Sequence, residues 1–337
     1  MADIAVIGAG IAGSLGAHAL LEAGHEVTVL DKSFAPGGRL ASKTVADATF
    51  DIGAQFLTAR TGTFGAYVDR WLAEGVLKTW FHGSPDRTAP ADPDGYPRYR
   101  GAPTMRRIAE HLAVGLDLRL GAVVAAIAPR SGRWQISVAG REPGSETTVL
   151  TTDAVLLATP IPQALTLLEA GGTELSGRTH ERLAPAEYTP TIAVLAVPRG
   201  PTILPSRGAI RDPGGDVEWI TDNQVTGASQ VPAVTIHARS ELSRSLAEVS
   251  DAEAAHTVLA AARDLLGCEA SGVHVHRWRY AKPTVSLGED PLVEVVGGAP
   301  LAFAGDAFRG GRIEGAALSG LASAAALTQT LAARTVG

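Results

Sequence analysis

The sequence is poor in cysteine, in runs of one charge and in long apolar runs. Cys268 is the single cysteine among 337 residues, which excludes an intrachain disulfide and a cysteine-rich metal site and fits a reducing compartment. The formal net charge is -6 and no long basic run occurs, so nucleic acid and anionic membranes are poor candidate partners. No uninterrupted apolar stretch approaches about 18 residues, so we expect no membrane span.

The N-terminus also lacks the features of a signal peptide. It has no basic region, and Asp3 stands where positive charge is expected. We therefore expect a cytoplasmic protein that binds neither nucleic acid nor membrane. The chain is 45% apolar, which is ample for a packed core, and its length suggests about two domains.

A glycine motif near the N-terminus stands between a predicted strand and a predicted helix. It reads Gly8-x-Gly10-x-x-Gly13, and a second predicted strand ends at Asp31. Gly8 permits the tight turn, Gly10 lets backbone approach a pyrophosphate, and Gly13 lets helix and strand pack closely. The helix N-terminus offers free N–H groups to the phosphates, and Asp31 can accept hydrogen bonds from a ribose. This pattern predicts a dinucleotide site but does not distinguish FAD from NAD.

Two further glycine turns favour FAD. Gly37-Gly38-Arg39 follows the second strand directly and can place a cation over phosphate or flavin, and Gly53-Ala54-Gln55 follows a short predicted strand. Near the C-terminus, Gly305-Asp306 precedes a predicted helix of small residues. This order resembles the flavoprotein oxidoreductases of the glutathione-reductase type, in their amine-oxidase-like branch. In that family both chain ends hold one FAD, the N-terminal loop binding its ADP half and the C-terminal loop its flavin half.

A closer resemblance is to the bacterial renalase proteins. It spans Ile4 to Leu327 and rests on the segments "GGRLASK", "FDIGAQFLTAR", "YRGAPTMRRIAEHL", "ATPIPQAL", "HRWRYAKP" and "AGDAFRGGRIEGAALSG". The family resemblance implies an FAD-dependent oxidase of dihydropyridine nucleotides. Hydride would pass from the off-pathway 2- or 6-dihydro isomers of NAD(P) to flavin N5, and O2 would be reduced to H2O2.

The resemblance also implies the site residues. We predict FAD contacts at Gly8, Gly10, Ala12, Gly13, Asp31, Lys32, Gly38, Arg39, Gln55, Phe56, Val123, Gly305, Asp306, Arg312 and Ile313, of which the resemblance itself implies Ala12, Asp31, Lys32, Arg39, Gln55, Phe56, Asp306 and Ile313. The candidate pocket residues are Arg60, Thr191, Trp278, Lys282 and Arg312, of which the resemblance implies Arg60, Thr191 and Arg312. Hydride transfer needs positioning more than a general base, so no side chain is assigned as the catalyst. Cys268 lies outside all flavin motifs, so we expect noncovalent FAD, and no metal.

Several of these residues have a plain structural alternative. Trp278 can pack within a sheet as readily as face a flavin, and Arg60 can form a surface ion pair instead of binding a phosphate. We expect His237 to have a structural role and Glu314 to lie at the start of the last helix. For Lys282, a contact to flavin N5 through water is the less favoured of two possibilities, the other being a structural role.

Two other functions remain open. One is an FAD oxidase or dehydrogenase of another small amine or alicyclic substrate. The other is a flavin redox sensor that does not turn over. The aromatic content of 5% argues against an aromatic cage for an amine.

The predicted fold class is α/β, with a glutathione-reductase-like, Rossmann-type parallel-sheet domain and a second, mostly antiparallel substrate domain. The FAD domain is predicted over 1-78, 104-166 and 275-337, and the substrate domain over 79-103 and 167-274. We expect an exposed loop over 81–97, which is dense in Pro, Gly and Asp. A helix is predicted to begin after a Ser/Asp cap at 250–251 and to end at Gly267.

Overall fold

The computed structural model describes residues 1–83, 95–140 and 146–336. They belong to two compact units. The first unit consists of Met1–Gly38, Ala109–Glu187 and Pro283–Gly337, and the second consists of Arg39–Ile108 and Tyr188–Lys282. These units are defined by packing, whereas the predicted domains are defined by the ligand that each would bind. The units therefore do not test the predicted domain boundaries, which stay a prediction. Most of the predicted 81–97 loop, residues 84–94, lies outside the described part of the chain.

The strands are β1 (Asp3–Ile7), β2 (Glu26–Asp31), β3 (Ser42–Val45), β4 (Ala48–Asp51), β5 (Leu77–His82), β6 (Pro97–Gly101), β7 (Asp117–Leu120), β8 (Ala122–Arg130), β9 (Arg133–Gly140), β10 (Thr147–Thr152), β11 (Ala154–Leu157), β12 (Tyr188–Pro198), β13 (Ala209–Gly214), β14 (Val217–Asp222), β15 (Val234–Ala238), β16 (Ala270–Pro283), β17 (Leu292–Val296) and β18 (Ala299–Phe303). The helices are α1 (Ile11–Glu22), α2 (Gly62–Ala73), α3 (Arg106–Ala113), α4 (Ile161–Ala170), α5 (Gly177–Leu183), α6 (Ser240–Ser245), α7 (Asp251–Leu266) and α8 (Ile313–Val336).

The first unit is built on a six-stranded sheet with the order β17-β18-β11-β1-β2-β7. All neighbouring pairs are parallel except the edge pair of β17 with β18. The central strands β1 and β11 are almost entirely buried and apolar, as expected of a parallel sheet covered on both faces. Ile7 pairs with Leu157, and Leu157 pairs with Phe303, so these three strands end level with one another. The predicted Rossmann-type sheet is confirmed.

Helices α1 and α8 pack closely against each other in the first unit. A Cβ atom on Gly320 would lie 2.1 Å from the Ala12 carbonyl oxygen, and one on Gly16 would lie 3.2 Å from the Gly320 carbonyl oxygen. Glycine at position 320 therefore lets the two helix backbones approach each other. Ser323 Oγ donates to the Phe303 carbonyl at 2.7 Å, which ties α8 to β18. The first and last helices of the chain thus form one packed layer.

The first unit also contains a three-stranded antiparallel sheet, with the order β10-β9-β8, which sequence reasoning missed. Ser131 and Gly132, both with positive φ, form the tight turn between β8 and β9. A Ser-Gly pair between two apolar runs is a hairpin signal, and the assignment of 104-166 to the parallel-sheet domain overlooked it.

The second unit is built on a five-stranded sheet with the order β13-β14-β15-β12-β16. The pairs β13–β14, β14–β15 and β15–β12 are antiparallel, which confirms a mostly antiparallel second sheet. Helix α7 packs its buried face on this sheet. It begins as predicted, because Ser250 Oγ accepts from Glu253 N at 3.2 Å, and it ends at Gly267 in the left-handed conformation with φ +71.

Helix α8 is long and apolar enough to cross a membrane by length and composition alone. Its most apolar 18-residue window has a mean hydropathy of 1.3, and 39% of that window is buried within the protein. Small residues and isolated polar ones interrupt its apolar run, so it contains no uninterrupted apolar stretch of the kind sought in the sequence, and the expectation of no membrane span stays a prediction. The packing of α8 on α1 and β18 accounts for its apolar composition as the core helix of the first unit.

Candidate functional site

The N-terminal glycine turn in the first unit has the geometry of a phosphate-binding loop. Gly8 has φ +109, and a Cβ atom on Gly13 would lie 1.9 Å from the Gly8 carbonyl oxygen, so both positions require glycine. A Cβ atom on Gly10 would meet no heavy atom within 4 Å. Gly10 is the residue that precedes α1, and no side chain caps the helix there. The first amides of α1 are therefore available to an anion.

Asp31 is fixed at the end of β2 by two backbone amides. Its Oδ2 accepts from Ala9 N at 2.8 Å, and its Oδ1 accepts from Ser33 N at 2.7 Å. The carboxylate thus connects the glycine turn to the second strand, and its remaining acceptor capacity suits ribose hydroxyls. The side chain of Lys32 is exposed next to it, and Val123 lies at the start of β8, two residues beyond Gly121.

The C-terminal loop of the first unit follows β18. Gly305 has φ +144 and donates its N–H to Ser319 Oγ at 3.2 Å, and the Asp306 side chain is buried. Arg312 is exposed and precedes α8, which begins at Ile313 and contains the buried Glu314 in its first turn. Glu314 therefore lies where the sequence predicted it. The loop presents the N-terminus of a 24-residue helix beside a buried aspartate.

Both glycine loops leave the parallel sheet of the first unit at the same edge. Ala158 N donates to Ile7 O at 2.9 Å, and Ala304 N donates to Leu157 O at 2.8 Å. The hydrogen-bonded ladder therefore continues through the carboxyl ends of β1, β11 and β18. This edge is where open α/β sheets bind their ligands.

The second unit places a buried ion pair beneath the Gly53-Ala54-Gln55 turn. Arg100 Nη2 lies 2.6 Å from Asp51 Oδ2, and both side chains are 1% exposed. Asp51 Oδ1 also accepts from Ser42 Oγ at 2.6 Å and Met105 N at 2.9 Å. Burial lowers the pKa of Arg100 and the Asp51 carboxylate opposes that change. This network fixes the start of the turn.

Arg39 connects the same turn to β16. Its Nη1 donates to the carbonyls of Tyr280 and Ala281 at 3.4 and 3.2 Å, and its own carbonyl accepts from Ala54 N at 2.8 Å. A Cβ atom on Gly53 would lie 2.1 Å from the Arg39 carbonyl oxygen. Close backbone approach thus accounts for the glycine of this motif, and Arg39 organises the segment around it.

Four of the arginine–ring pairs in the second unit are together named the arginine–ring cluster. The pairs are Arg60 over Tyr96 at 5.1 Å, Arg98 over Phe56 at 5.6 Å, Arg100 over Trp80 at 5.5 Å and Arg207 over Phe81 at 5.5 Å. Trp219 joins them, with ring centroids 5.5 Å from Phe56 and 6.4 Å from Trp80. Guanidinium planes stacked on rings offer both cations and flat apolar faces.

His237 and Trp278 hold one carbonyl group of the second unit. Trp278 Nε1 donates to Ile52 O at 2.9 Å, and His237 Nε2 lies 3.1 Å from the same oxygen. Burial, then the Lys282 charge, lowers the pKa of His237 from 6.5 to about 4, and Glu218 opposes the change. His237 is thus neutral and structural, as the sequence predicted.

Two further predicted pocket residues also have defined surroundings in the second unit. Thr191 is buried in β12. Lys282, half-exposed at the end of β16, forms an ion pair with Glu218. Its ammonium group is thus held by a carboxylate of the same unit.

More than two thirds of the chain matches one family model. Residues 94–328 match the family model described as flavin containing amine oxidoreductase. The chain belongs to that family. Residues 6–71 match an NAD(P)-binding Rossmann-like domain. Members of the flavin-containing amine oxidoreductase family carry a flavin, and the dinucleotide-binding fold at the N-terminus identifies the cofactor here as FAD.

Solved structures share this fold over nearly the whole chain. A putative protoporphyrinogen oxidase from Exiguobacterium sp. 255-15 is 12% identical with a TM-score of 0.67, covering 98% of this chain and 99% of the other. An oxidoreductase from Methanosarcina mazei is 15% identical with a TM-score of 0.65, over 95% and 99%. A redesigned putrescine oxidase carrying three substitutions is 17% identical with a TM-score of 0.67, over 98% and 99%. At these identities the likeness establishes the fold alone.

The residues of the first unit fit FAD. The space beside Gly10 and the uncapped start of α1 suit a pyrophosphate, and Asp31 suits the adenosine ribose. Gly305 and the start of α8 form a second such loop on the same edge. The contacts predicted for Arg39, Gln55 and Phe56 in the second unit stay predictions. Among residues 1–83, 95–140 and 146–336, no group of three or more His, Cys, Asp or Glu side chains could hold a metal ion.

Sequence reasoning missed the arginine–ring cluster and the anchoring role of Asp51. A signal existed in "PRYRG", where Arg98 and Arg100 alternate along β6 and therefore point to the same face. The aromatic partners come from distant segments, so no spacing in the sequence connects them to these arginines.

Proposed function

We propose that this flavin-containing oxidoreductase oxidises the 2- and 6-dihydro isomers of NAD(P), with O2 as the acceptor. The balanced reaction converts one dihydronucleotide, one O2 and one proton into NAD(P)+ and H2O2. We further propose that it works in the cytoplasm on this small molecule, without nucleic acid or membrane partners. Substrates of this class carry a pyrophosphate, in the NADP forms a third phosphate, and two flat rings, and the pocket must recognise these groups.

The arginine–ring cluster is the observation that supports this substrate. Arg60 is the exposed member, and its guanidinium lies 5.1 Å from the ring centroid of Tyr96. A planar guanidinium binds phosphate oxygens in pairs, and rings such as Phe56 offer stacking faces for a base or a nicotinamide. A protonated amine, by contrast, gains nothing from a surface of guanidinium groups.

The chain's own residues contribute binding and orientation. Bound flavin supplies the two-electron oxidation chemistry. Arg60 holds a phosphate of the substrate, while the first turn of α8 and Arg312 favour negative charge close to the C-terminal loop of the first unit. Oxidation of a dihydropyridine restores its aromaticity and releases no proton with the hydride, so no general base is required.

An amine substrate is the second candidate. The family model that matches residues 94–328 is that of amine oxidoreductases, and a putrescine oxidase shares the fold. A flavin sensor without turnover is the third alternative, and its reduced form would persist in air.

Anaerobic bleaching of the bound flavin tests the proposal. The purified holoprotein is mixed with dihydro-NAD isomers from borohydride-treated NAD+, with NADH and with putrescine in parallel. We expect rapid loss of flavin absorbance with the isomers and slow loss with NADH, followed by return of the colour and H2O2 formation on admission of air. Bleaching by putrescine, with no bleaching by the dihydro-NAD isomers or NADH, would show that the substrate is an amine. An oxidised flavin in every sample would exclude all three donors.

A further inference from the structure

Arg309, in the C-terminal loop of the first unit, has a left-handed backbone with φ +59. This conformation is strained for a residue that carries a Cβ atom, whereas glycine adopts it readily. The next residue, Gly310, has φ +82, so the same loop does use glycine where its backbone turns this way. An arginine at position 309 is therefore less stable than a glycine would be, and its side chain needs an explanation.

The surrounding segment holds Arg309 in its strained conformation. Arg309 N donates to the Gly288 carbonyl at 3.2 Å, and Leu287 N donates to the Ala307 carbonyl at 2.7 Å. Arg182, on α5, secures this second segment in turn, because its Nε donates to the Leu287 carbonyl at 3.2 Å. Strained residues persist only where their surroundings fix them in this way, and they concentrate at ligand-binding sites.

The contacts of the Arg309 side chain within the protein do not account for it. Its Nη1 lies 3.9 Å from Glu289 Oε2, and that glutamate side chain is 80% exposed, so the pair contributes little. Its Nε is buried and has no hydrogen-bond partner among residues 1–83, 95–140 and 146–336. The side chain as a whole is 29% exposed, so its outer part can be reached by a ligand from solvent.

Arg309 also lies against the first turn of α8. A Cβ atom on Gly315 would lie 2.5 Å from the Arg309 carbonyl oxygen, so the two backbones are in close contact. The start of a helix carries partial positive charge, and the exposed Arg312 precedes it directly. One loop thus contains two guanidinium groups and the positive end of a 24-residue helix. An anion is the ligand that such a loop attracts.

We propose that the guanidinium of Arg309 binds an anion at the C-terminal loop of the first unit. Two sources can supply this anion: the negative charge that a flavin gains on reduction, and the pyrophosphate of a dihydronucleotide. A planar guanidinium suits both, because it donates parallel N–H groups to neighbouring acceptors. The flavin source rests on FAD as the cofactor, whereas the pyrophosphate source rests on the proposed function.

Three variants separate the strain at this position from the charge. Arg309→Gly removes both, and Arg309→Met removes only the charge. Ser131→Gly is the matched control that removes strain alone, since the exposed Ser131 in the turn between β8 and β9 has φ +51. The midpoint potential of the bound flavin is measured against a redox dye, without substrate. The dissociation constants of ADP-ribose and of adenosine are measured on the same holoproteins by calorimetry, and the melting temperature on the apoproteins.

We expect Arg309→Gly and Arg309→Met to lose about tenfold in one of the two anion measurements. For the flavin this is a negative shift of about 30 mV in the two-electron potential, and it assigns the anion to the cofactor. For the pyrophosphate it is weaker binding of ADP-ribose with adenosine unchanged, and it assigns the anion to the substrate. The flavin measurement stands whether or not the proposed function holds.

The melting temperatures show whether Arg309 has only a structural role. We expect the apoproteins of Arg309→Gly and Ser131→Gly to melt no lower than the wild type, because glycine relieves the strained backbone. Ser131→Gly should change neither the potential nor the binding of ADP-ribose. A lower melting temperature for both Arg309 variants, with the potential and ADP-ribose binding unchanged, would overturn the proposal and leave Glu289 as the partner of Arg309.

Discussion

Asp51 and Arg100 form an ion pair in which each side chain is 1% exposed, with 2.6 Å between Oδ2 and Nη2. A buried pair of this kind holds its place because each charge compensates the other. Asp51 begins the turn that contains Gln55, so the pair determines how the start of this turn is held in the second unit.

Replacing Arg100 by methionine is expected to destabilise the protein strongly. The change leaves the Asp51 carboxylate buried without its cation, which typically costs about 3–5 kcal/mol in the free energy of unfolding. Urea unfolding followed by circular dichroism measures it. Arg119→Met is the matched control, because the Arg119–Asp117 pair is 53% exposed on both sides and should contribute under about 1 kcal/mol. Equal losses for the two variants would contradict this account.

Alanine at Gly10 and at Gly13 should separate cofactor binding from folding. Gly13→Ala places a Cβ atom 1.9 Å from the Gly8 carbonyl oxygen and should lower the melting temperature of the apoprotein by several degrees or prevent folding. Gly10→Ala meets no atom within 4 Å in the chain, so the apoprotein should melt as the wild type does. Its methyl group would nevertheless intrude on the pyrophosphate, so FAD affinity should fall at least tenfold. Normal FAD binding by Gly10→Ala would show that the phosphates lie elsewhere.

Stability should fall in mild acid because of His237. Burial lowers its pKa from 6.5 to about 4 in the folded protein, so between these values the unfolded chain binds a proton that the folded one does not. The free energy of unfolding should therefore rise with pH across this window by up to about 1.4 kcal/mol per unit and level off above it. His237→Gln should flatten the slope. Burial also lowers the pKa of His276 to about 4, so His276 contributes to the same pH dependence. The free energy of unfolding should therefore depend even less on pH when both His237 and His276 are replaced by glutamine.

Arg60→Ala should raise KM for the dihydronucleotide isomers about tenfold and change kcat little. Under the proposed function the lost interaction would be a phosphate contact far from the reacting ring, which would bind substrate and transition state alike. Arg60→Lys should recover only part of the affinity, since an ammonium lacks the planar fork. The matched control is Arg244→Ala, whose exposed side chain on α6 lies outside the cluster. A KM unchanged in Arg60→Ala would remove this residue from the substrate site.

The first strand, helix and second strand could be predicted from sequence because their signals are local. Glycines at fixed spacing, an apolar strand and a terminal aspartate coincide within about thirty residues, as the dinucleotide fingerprint requires. The C-terminal Gly305-Asp306 loop and the cap of α7 were also readable, since each depends on neighbouring residues.

The Asp51–Arg100 pair and the arginine–ring cluster could not be predicted in the same way. Arg100 and Asp51 are 49 positions apart, and Arg60 meets Tyr96 because Leu57, three residues before Arg60, pairs antiparallel with Tyr99. Such contacts depend on how distant segments pack, and no periodicity in the sequence records that. The left-handed backbone of Arg309 is likewise visible only once the segment that holds it is in place.

The packing of Gly320 against Ala12 has a consequence for biosynthesis. At about 5–20 residues per second, the ribosome makes the glycine turn roughly 15–60 s before it makes the helix that α1 packs on. Until then the nascent chain exposes the side of α1 that α8 will cover, and β11 lacks its neighbour β18. We therefore expect the first unit to acquire FAD only after α8 has been synthesised, so that a chain stalled before α8 would leave the ribosome without its cofactor.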